Sequence, residues 1–255
     1  MHTGVHANMF AGAGSEIPAG RRPIMSVDRN LASKPMEEKP VVSRRGGPRG
    51  EIVYRALLDD IRAGRIQPGD RIREEDIAKS LGVSRTPVRE ALQQLQARRL
   101  VEMAPGRGIV VVKLSTQQVM QLYAMREVLE GAAARFAAQY ALPPEVSIME
   151  ELLTEFERAA DDAERLAKIN YALHRTIYEA ARNPYMHEAL NNLEDALSLL
   201  QNTTFSLPER YQSACSEHRA IVEAIRDRDS EAAEGASRAH IRAAQRSRLR
   251  MLTSV

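Results

Sequence analysis

The stretch EEDIAKSLGVSRTPVREALQQL, residues 74–95, decides how this chain is read. Ile77, Ala78, Leu81 and Val83 are spaced to bury one side of a short helix and its turn, and Gly82 lets the backbone leave that helix in a left-handed conformation. A second helix begins at once. Ser84 is a good N-cap, Pro87 lies in the first turn where its missing N–H costs nothing, and Glu90 falls near the positive helix end. Val88, Ala91, Leu92 and Leu95 form the apolar stripe of this helix, which leaves Arg85, Thr86 and Arg89 facing outward near its start. Downstream, Val101-Glu102-Met103 and Ile109-Val110-Val111-Val112 flank Pro105-Gly106-Arg107-Gly108, the pattern of a two-stranded wing. Two short helices, a tight turn and a wing make a shape suited to a DNA groove, with the outward side chains placed for phosphates and base edges.

Working outward, the preceding helix is expected over residues 50–63, with Ile52, Val53, Ala56, Leu57 and Ile61 on its apolar side. Gly64 ends it, and Pro68-Gly69 turns the chain toward Arg71-Ile72. Residues 1–48 are rich in Gly, Pro, Ser and Arg without a sustained period, so they read as a disordered tail. Arg44 and Arg45 there, with Arg49 just after, could add phosphate contacts, a solvated leader being the simpler reading. Residues 49–112 form the winged helix-turn-helix unit and residues 113–115 a linker, after which Ser115 or Thr116 can cap the next helix.

Residues 116–251 change to long amphipathic helices, expected near 116–140, 145–160, 162–181, 184–203, 208–228 and 230–251. Pro143-Pro144, Asn183-Pro184, Pro208 and Asp227-Arg228-Asp229 mark the breaks. Met120, Tyr123, Ala124, Val128, Leu129 and Ala132 support one face of the first. The fold class is therefore mainly α: an N-terminal winged helix-turn-helix domain followed by a C-terminal antiparallel all-α bundle.

Composition narrows the function. With 255 residues and 44% hydrophobic residues the chain can build two cored domains, and its single cysteine, Cys215, excludes an internal disulfide framework or a multi-thiolate zinc site. No stretch reaches the roughly 18 apolar residues needed to cross a bilayer, so no membrane role and a cytoplasmic location are expected. Residues 49–113 hold 13 Lys and Arg against 9 Asp and Glu, whereas residues 114–255 hold 16 against 21. The cationic unit is the one that should face a polyanion.

These residues carry a resemblance. PGDRIREEDIAKSLGVSRTPVREALQQLQARRLV, residues 68–101, resembles the winged helix-turn-helix domain of the GntR transcription-regulator family, most specifically through Val83 to Leu92. Residues 116–251 resemble the all-helical effector domain of its FadR-like subfamily, the FCD type, with Arg126 and Glu130 matching an R-x-x-x-E segment. One departure stands out: where the family commonly has an acidic residue and a glycine, this chain has Arg98-Arg99 before Leu100. No core position is weakened by that change, and the added charge suggests increased nonspecific DNA affinity.

Asn170 and His174 share a helix face four residues apart, and His218 and His240 lie on later helices that a bundle can bring alongside. Imidazoles suit zinc, nickel or iron, although spacing alone equally describes surface or packed polar histidines. The resemblance implies a divalent metal, since FadR-like effector domains commonly hold one with an Asp-x-x-x-His pair and two later histidines. Those positions carry over to His174, His218 and His240, with Asn170 in place of the usual Asp and a neutral donor in place of a charged one. Zinc is the first choice, nickel or iron the others. Arg126 is the candidate anchor for a carboxylate effector, its alternative being an ion pair with Glu130.

The expected function is a ligand-responsive transcription regulator, a repressor by resemblance, that binds a palindromic duplex operator as a homodimer and answers to a small organic acid. Arg85 and Arg89 lead the contacts to bases or phosphates, Ser84 and Thr86 support them, and Arg73 and Arg107 position the unit on the backbone or minor groove. A metal-dependent enzyme fused to a DNA-binding domain and a constitutive DNA-binding oligomer are the alternatives. No H-E-x-x-H, P-loop or G-x-S-x-G segment supports catalysis.

Overall fold

The computed structural model describes residues 48–253 apart from positions 161 and 201. The tail expected over residues 1–48, with Arg44 and Arg45, falls outside the described residues up to position 47. Helix α1 (Pro48–Arg62) packs on α3 (Arg85–Ala97), with α2 (Glu74–Leu81) beside it and an antiparallel wing of β1 (Val101–Ala104) and β2 (Gly108–Val111) behind. The wing register pairs Val101 with Val111 and Met103 with Ile109, and Arg71 adds a single bridge to Val110. Gly82 ends α2 at φ 64°, the left-handed turn its position requires.

The core of this unit joins Val53, Leu57 and Ile61 of α1 to Val88, Leu92 and Leu95 of α3, closed by Leu100, Val101 and Val111. Two expected core positions are exposed. Ile52 is exposed, because α1 turns Tyr54 and Leu58 inward instead, and Leu81 is exposed at the last turn of α2, a helix with no fully buried residue.

Six helices follow among the described residues: α4 (Thr116–Tyr140), α5 (Pro143–Arg158), α6 (Ala163–Ala180), α7 (Pro184–Leu197), α8 (Pro208–Arg226) and α9 (Ser230–Thr253), with a short 3-10 turn at Thr204–Ser206. Ser115 caps α4 through a reciprocal bond with Gln118. The most extensive packing is between α4 and α9. It rests on Ala133, Ala134, Ala137 and Ala138, small side chains that let the backbones approach, and on Gly131, beneath the side chain of Arg238. The buried face of α4 also carries Val119, Tyr123, Arg126 and Glu130, whereas Met120, Ala124 and Val128, expected inside, are exposed. An internal ion pair has taken positions that hydrophobicity alone assigned elsewhere. Among the described residues no helix is long and apolar enough to cross a membrane.

Candidate functional site

The outward face of the winged unit is built as its sequence requires. Pro87, Val88, Ala91, Leu92 and Leu95 of α3 are buried, which turns Arg85, Thr86 and Arg89 to solvent. Arg85 Nη2 lies 2.6 Å from Glu75 Oε1, and Arg89 Nε 2.8 Å from Glu74 Oε2. Exposed pairs of this kind contribute little stability, so a phosphate can replace the carboxylates at small cost. Ser84 occupies the N-cap of α3 but its side chain makes no capping bond, leaving the hydroxyl for another use. Arg73, at the N-cap of α2, borders one shallow depression together with Arg85, Met103 and Gly108. Arg107 sits at the wing turn, exposed, and reaches Gly69 O at 3.3 Å.

Of the Arg98-Arg99 pair, the first has an internal partner and the second is exposed. Arg98 Nη1 reaches Asp195 Oδ2 of α7, so its charge is used within the molecule. Arg99 adopts φ 59°, a left-handed conformation in which a side chain is strained and glycine is not. The substitution therefore has a backbone cost that its neighbours in sequence do not reveal.

The second site lies inside the bundle. His174 of α6, His218 of α8 and His240 of α9 are all buried, and one ligand atom from each falls within 4.8 Å of the other two. The rings of His218 and His240 are 4.5 Å apart, centre to centre, and that of His174 is 5.1 Å from His240. Burial, reinforced by the neighbouring imidazoles, pushes His218 and His240 well below the ordinary histidine range, so both rings are neutral with lone pairs available. His174 Nε2 and both ring nitrogens of His218 are buried without a hydrogen-bond partner among the described residues. Each such orphan costs about 1–3 kcal/mol, and a divalent cation would relieve one nitrogen of each neutral imidazole that binds it. The donor set fits a metal.

Two carboxylates stand behind the rings. Glu130 Oε2 lies 2.7 Å from His174 Nδ1, and its other oxygen accepts from Arg126 Nε at 2.7 Å. Burial opposes ionisation of Glu130, but Arg126 and His174 overcome it and hold the carboxyl below its ordinary range. The ion pair that was the alternative for Arg126 is thus formed, with the guanidinium also 4.9 Å from the Tyr123 ring. Glu217 Oε2 lies 2.8 Å from His240 Nδ1 and 2.8 Å from Arg210 Nη1. Nothing in the sequence singles out Arg210, and Glu217 is noticeable there only as the neighbour of His218. Their signal was the seven-residue spacing that puts them on one face of α8, which is visible only once a partner on α9 is known.

Asn170 is half-buried one turn before His174 on α6; the convergence the structure establishes is that of the three histidines. Arg175 points away from them, pairing with Glu179 and Tyr171. It lines a cleft of about 680 Å3 between α1 and the bundle, together with Tyr54, His187, Asn191 and Glu194. Asp195 closes one side of that cleft. Almost fully buried, it accepts from Arg62 at 2.8 Å as well as from Arg98, and lies 3.5 Å from the Tyr54 hydroxyl.

Comparison with known proteins agrees with both halves. Residues 49–111 match the family described as bacterial regulatory proteins, gntR family, and residues 121–243 match the FCD domain. The chain is 33% identical over 190 residues to a probable D-xylose utilization operon transcriptional repressor of Paenarthrobacter nicotinovorans, covering 73% of this chain and 83% of that one. It is 28% identical over 202 residues to the HTH-type transcriptional regulator LutR of Bacillus subtilis, covering 71% of this chain and 92% of that protein. Among solved structures, E. coli McbR/YncC superposes with a TM-score of 0.67 at 21% identity, covering 82% of this chain and 98% of the other, a likeness of fold.

Proposed function

Because the chain belongs to the GntR family of bacterial regulatory proteins, we propose that it is a ligand-responsive transcription regulator whose bundle senses a small carboxylate through a metal centre. The observation that carries the sensing half is the buried set of His174, His218 and His240, in which His174 Nε2 and both ring nitrogens of His218 have no hydrogen-bond partner among the described residues. These three residues would hold the ion, with the Asn170 carbonyl as a fourth, neutral donor in reach of the same helix face. Bound there, a zinc, nickel or iron ion would offer open positions to a carboxylate oxygen. Arg126 would supply the second anchor: its Nε is engaged by Glu130, and a guanidinium so held keeps two Nη groups for bidentate contact.

The DNA-reading half assigns Arg85 and Arg89 to base edges and phosphates of the major groove, Ser84 and Thr86 to hydrogen bonds beside them, and Arg73 and Arg107 to backbone positioning. A homodimer on a palindromic operator gives two such helices their register. In support, α4 leaves Met125 and Val128 exposed a turn apart, an apolar strip that a second copy could cover. The regulator acts as a repressor, as the name of the Paenarthrobacter relative suggests. The winged unit is joined to the bundle through Asp195, which pairs with Arg62 and Arg98, so an effector that moves α7 changes the placement of α1 and α3.

Operator footprinting of metal-loaded and metal-stripped protein across a panel of small carboxylates tests this reading. Release or tightening of the footprint by at least one carboxylate, dependent on the metal, is expected. A footprint indifferent to every carboxylate in both states would overturn it.

A further inference from the structure

The Arg210, Glu217 and His240 side chains form a chain of contacts that ends at the histidine cluster. Arg210 has a side chain only 1% exposed, a rare position for a guanidinium, and its Nη1 lies 2.8 Å from Glu217 Oε2. The same oxygen is 2.8 Å from His240 Nδ1, while Arg210 Nη2 approaches that nitrogen at 3.3 Å. A guanidinium has only protons to offer and an ionised carboxylate only lone pairs. With the shorter contact to the carboxylate, His240 Nδ1 must carry its proton toward Glu217, and the lone pair of the neutral ring is then on Nε2. Which nitrogen of a histidine can ligate is decided by the bond that the other makes.

We propose that Glu217, held in place by Arg210, is a positioning residue that fixes His240 as the Nδ1–H tautomer and so presents Nε2 to the ion shared with His174 and His218. The inference rests on the metal reading above, and it assigns a task to two residues that reading leaves unused. Arg210 keeps Glu217 from turning to solvent, with Ser213 bonded to the same guanidinium at 2.9 Å. Glu217 touches no ion itself. It raises the basicity of the ring and removes the tautomeric and rotational freedom that ligation would otherwise have to freeze.

Two measurements on the full chain separate the possibilities. Nitrogen-15 NMR of the metal-stripped protein should show His240 as Nδ1–H, shifting toward a mixture of tautomers in Glu217→Ala and largely restored in Glu217→Gln, whose amide oxygen still accepts. Zinc titration against a chelator should show affinity falling about 10- to 100-fold in Glu217→Ala and less in Glu217→Gln. An Nε2–H tautomer in the wild-type protein would overturn the inference without any variant having to fold. Equal zinc affinity in wild type and Glu217→Ala would overturn it as well. A wild-type chain that binds no zinc, with His240 still Nδ1–H, would instead sink the metal reading, and with it the ligand-presenting role of Glu217.

Discussion

Asp195 of α7 and Arg98, at the end of α3, meet at 2.5 Å across 97 residues of sequence, and this contact ties the DNA-reading unit to the helical bundle. Arg62 joins from α1, and the Tyr54 phenol stands close enough that burial and the Asp195 charge push its pKa up to about 12. A carboxylate this buried needs its cations. The arginines, about two-fifths exposed, can turn back to water when it is removed. Asp195→Ala is therefore expected to destabilise the chain by about 1–3 kcal/mol, less than for a pair buried on both sides. A double-mutant cycle with Arg98→Ala, followed by urea unfolding, should return a coupling of about 1 kcal/mol; additivity would show that the contact carries no energy.

Arg99 presents the opposite case, a position where the chain is strained. At φ 59° it holds a left-handed conformation after α3. Arg99→Gly should raise stability by about 0.5–1 kcal/mol, the relief of strain exceeding the entropy that glycine adds to the unfolded chain. A lowered thermal midpoint would contradict this.

Glu194, in the cleft beside Asp195, has its pKa pushed up to about 7 by burial, with Arg175 opposing and the charges of Glu130 and Asp195 adding to the rise. Folded, it keeps its proton to near pH 7; unfolded, it loses it near 4.5. Between those values the folded state binds more protons, so stability falls as pH rises through the window and levels off above it. The cost by pH 8 is about 1–3 kcal/mol, partial exposure lowering the upper figure. Glu194→Gln should match the wild type near pH 4 and exceed it at pH 8, measured by denaturant unfolding across that range; parallel curves would refute the assignment.

The winged unit was legible because its signals are local. Gly82, Ser84 and Pro87 punctuate the turn within six residues, and the stripe of Val88, Ala91, Leu92 and Leu95 belongs to one helix. The face of α4 was not, since Arg126 and Glu130 are buried as a pair while Met120 and Val128 face out, a reversal that depends on α6 and α9 supplying partners. The three histidines could be picked out as chemistry-bearing residues on separate helices. Glu217 could be noticed only as a neighbour of His218, yet its side chain serves His240 on another helix. Arg98 read as a surface cation for the same reason: its partner is remote in sequence.

The outward arginines give a sharper expectation on DNA. Replacing Arg85, which is exposed and pairs only with Glu75 among the contacts described, should leave stability within about 0.5 kcal/mol of wild type. Operator affinity should nonetheless fall by about 1–3 kcal/mol with discrimination at one base position relaxed, as a selection of variant operators would show.

The most direct measurement is the affinity of the purified chain for its operator, against scrambled duplex at physiological salt, for wild type and Arg89→Ala. Arg89 sits exposed on α3, paired with Glu74 at 2.8 Å, so the substitution removes the proposed groove contact and leaves the core untouched. The account predicts a clear preference for the operator in the wild type that is largely lost in the variant. A wild type without sequence preference, or an Arg89→Ala variant that keeps the preference whole, would contradict it.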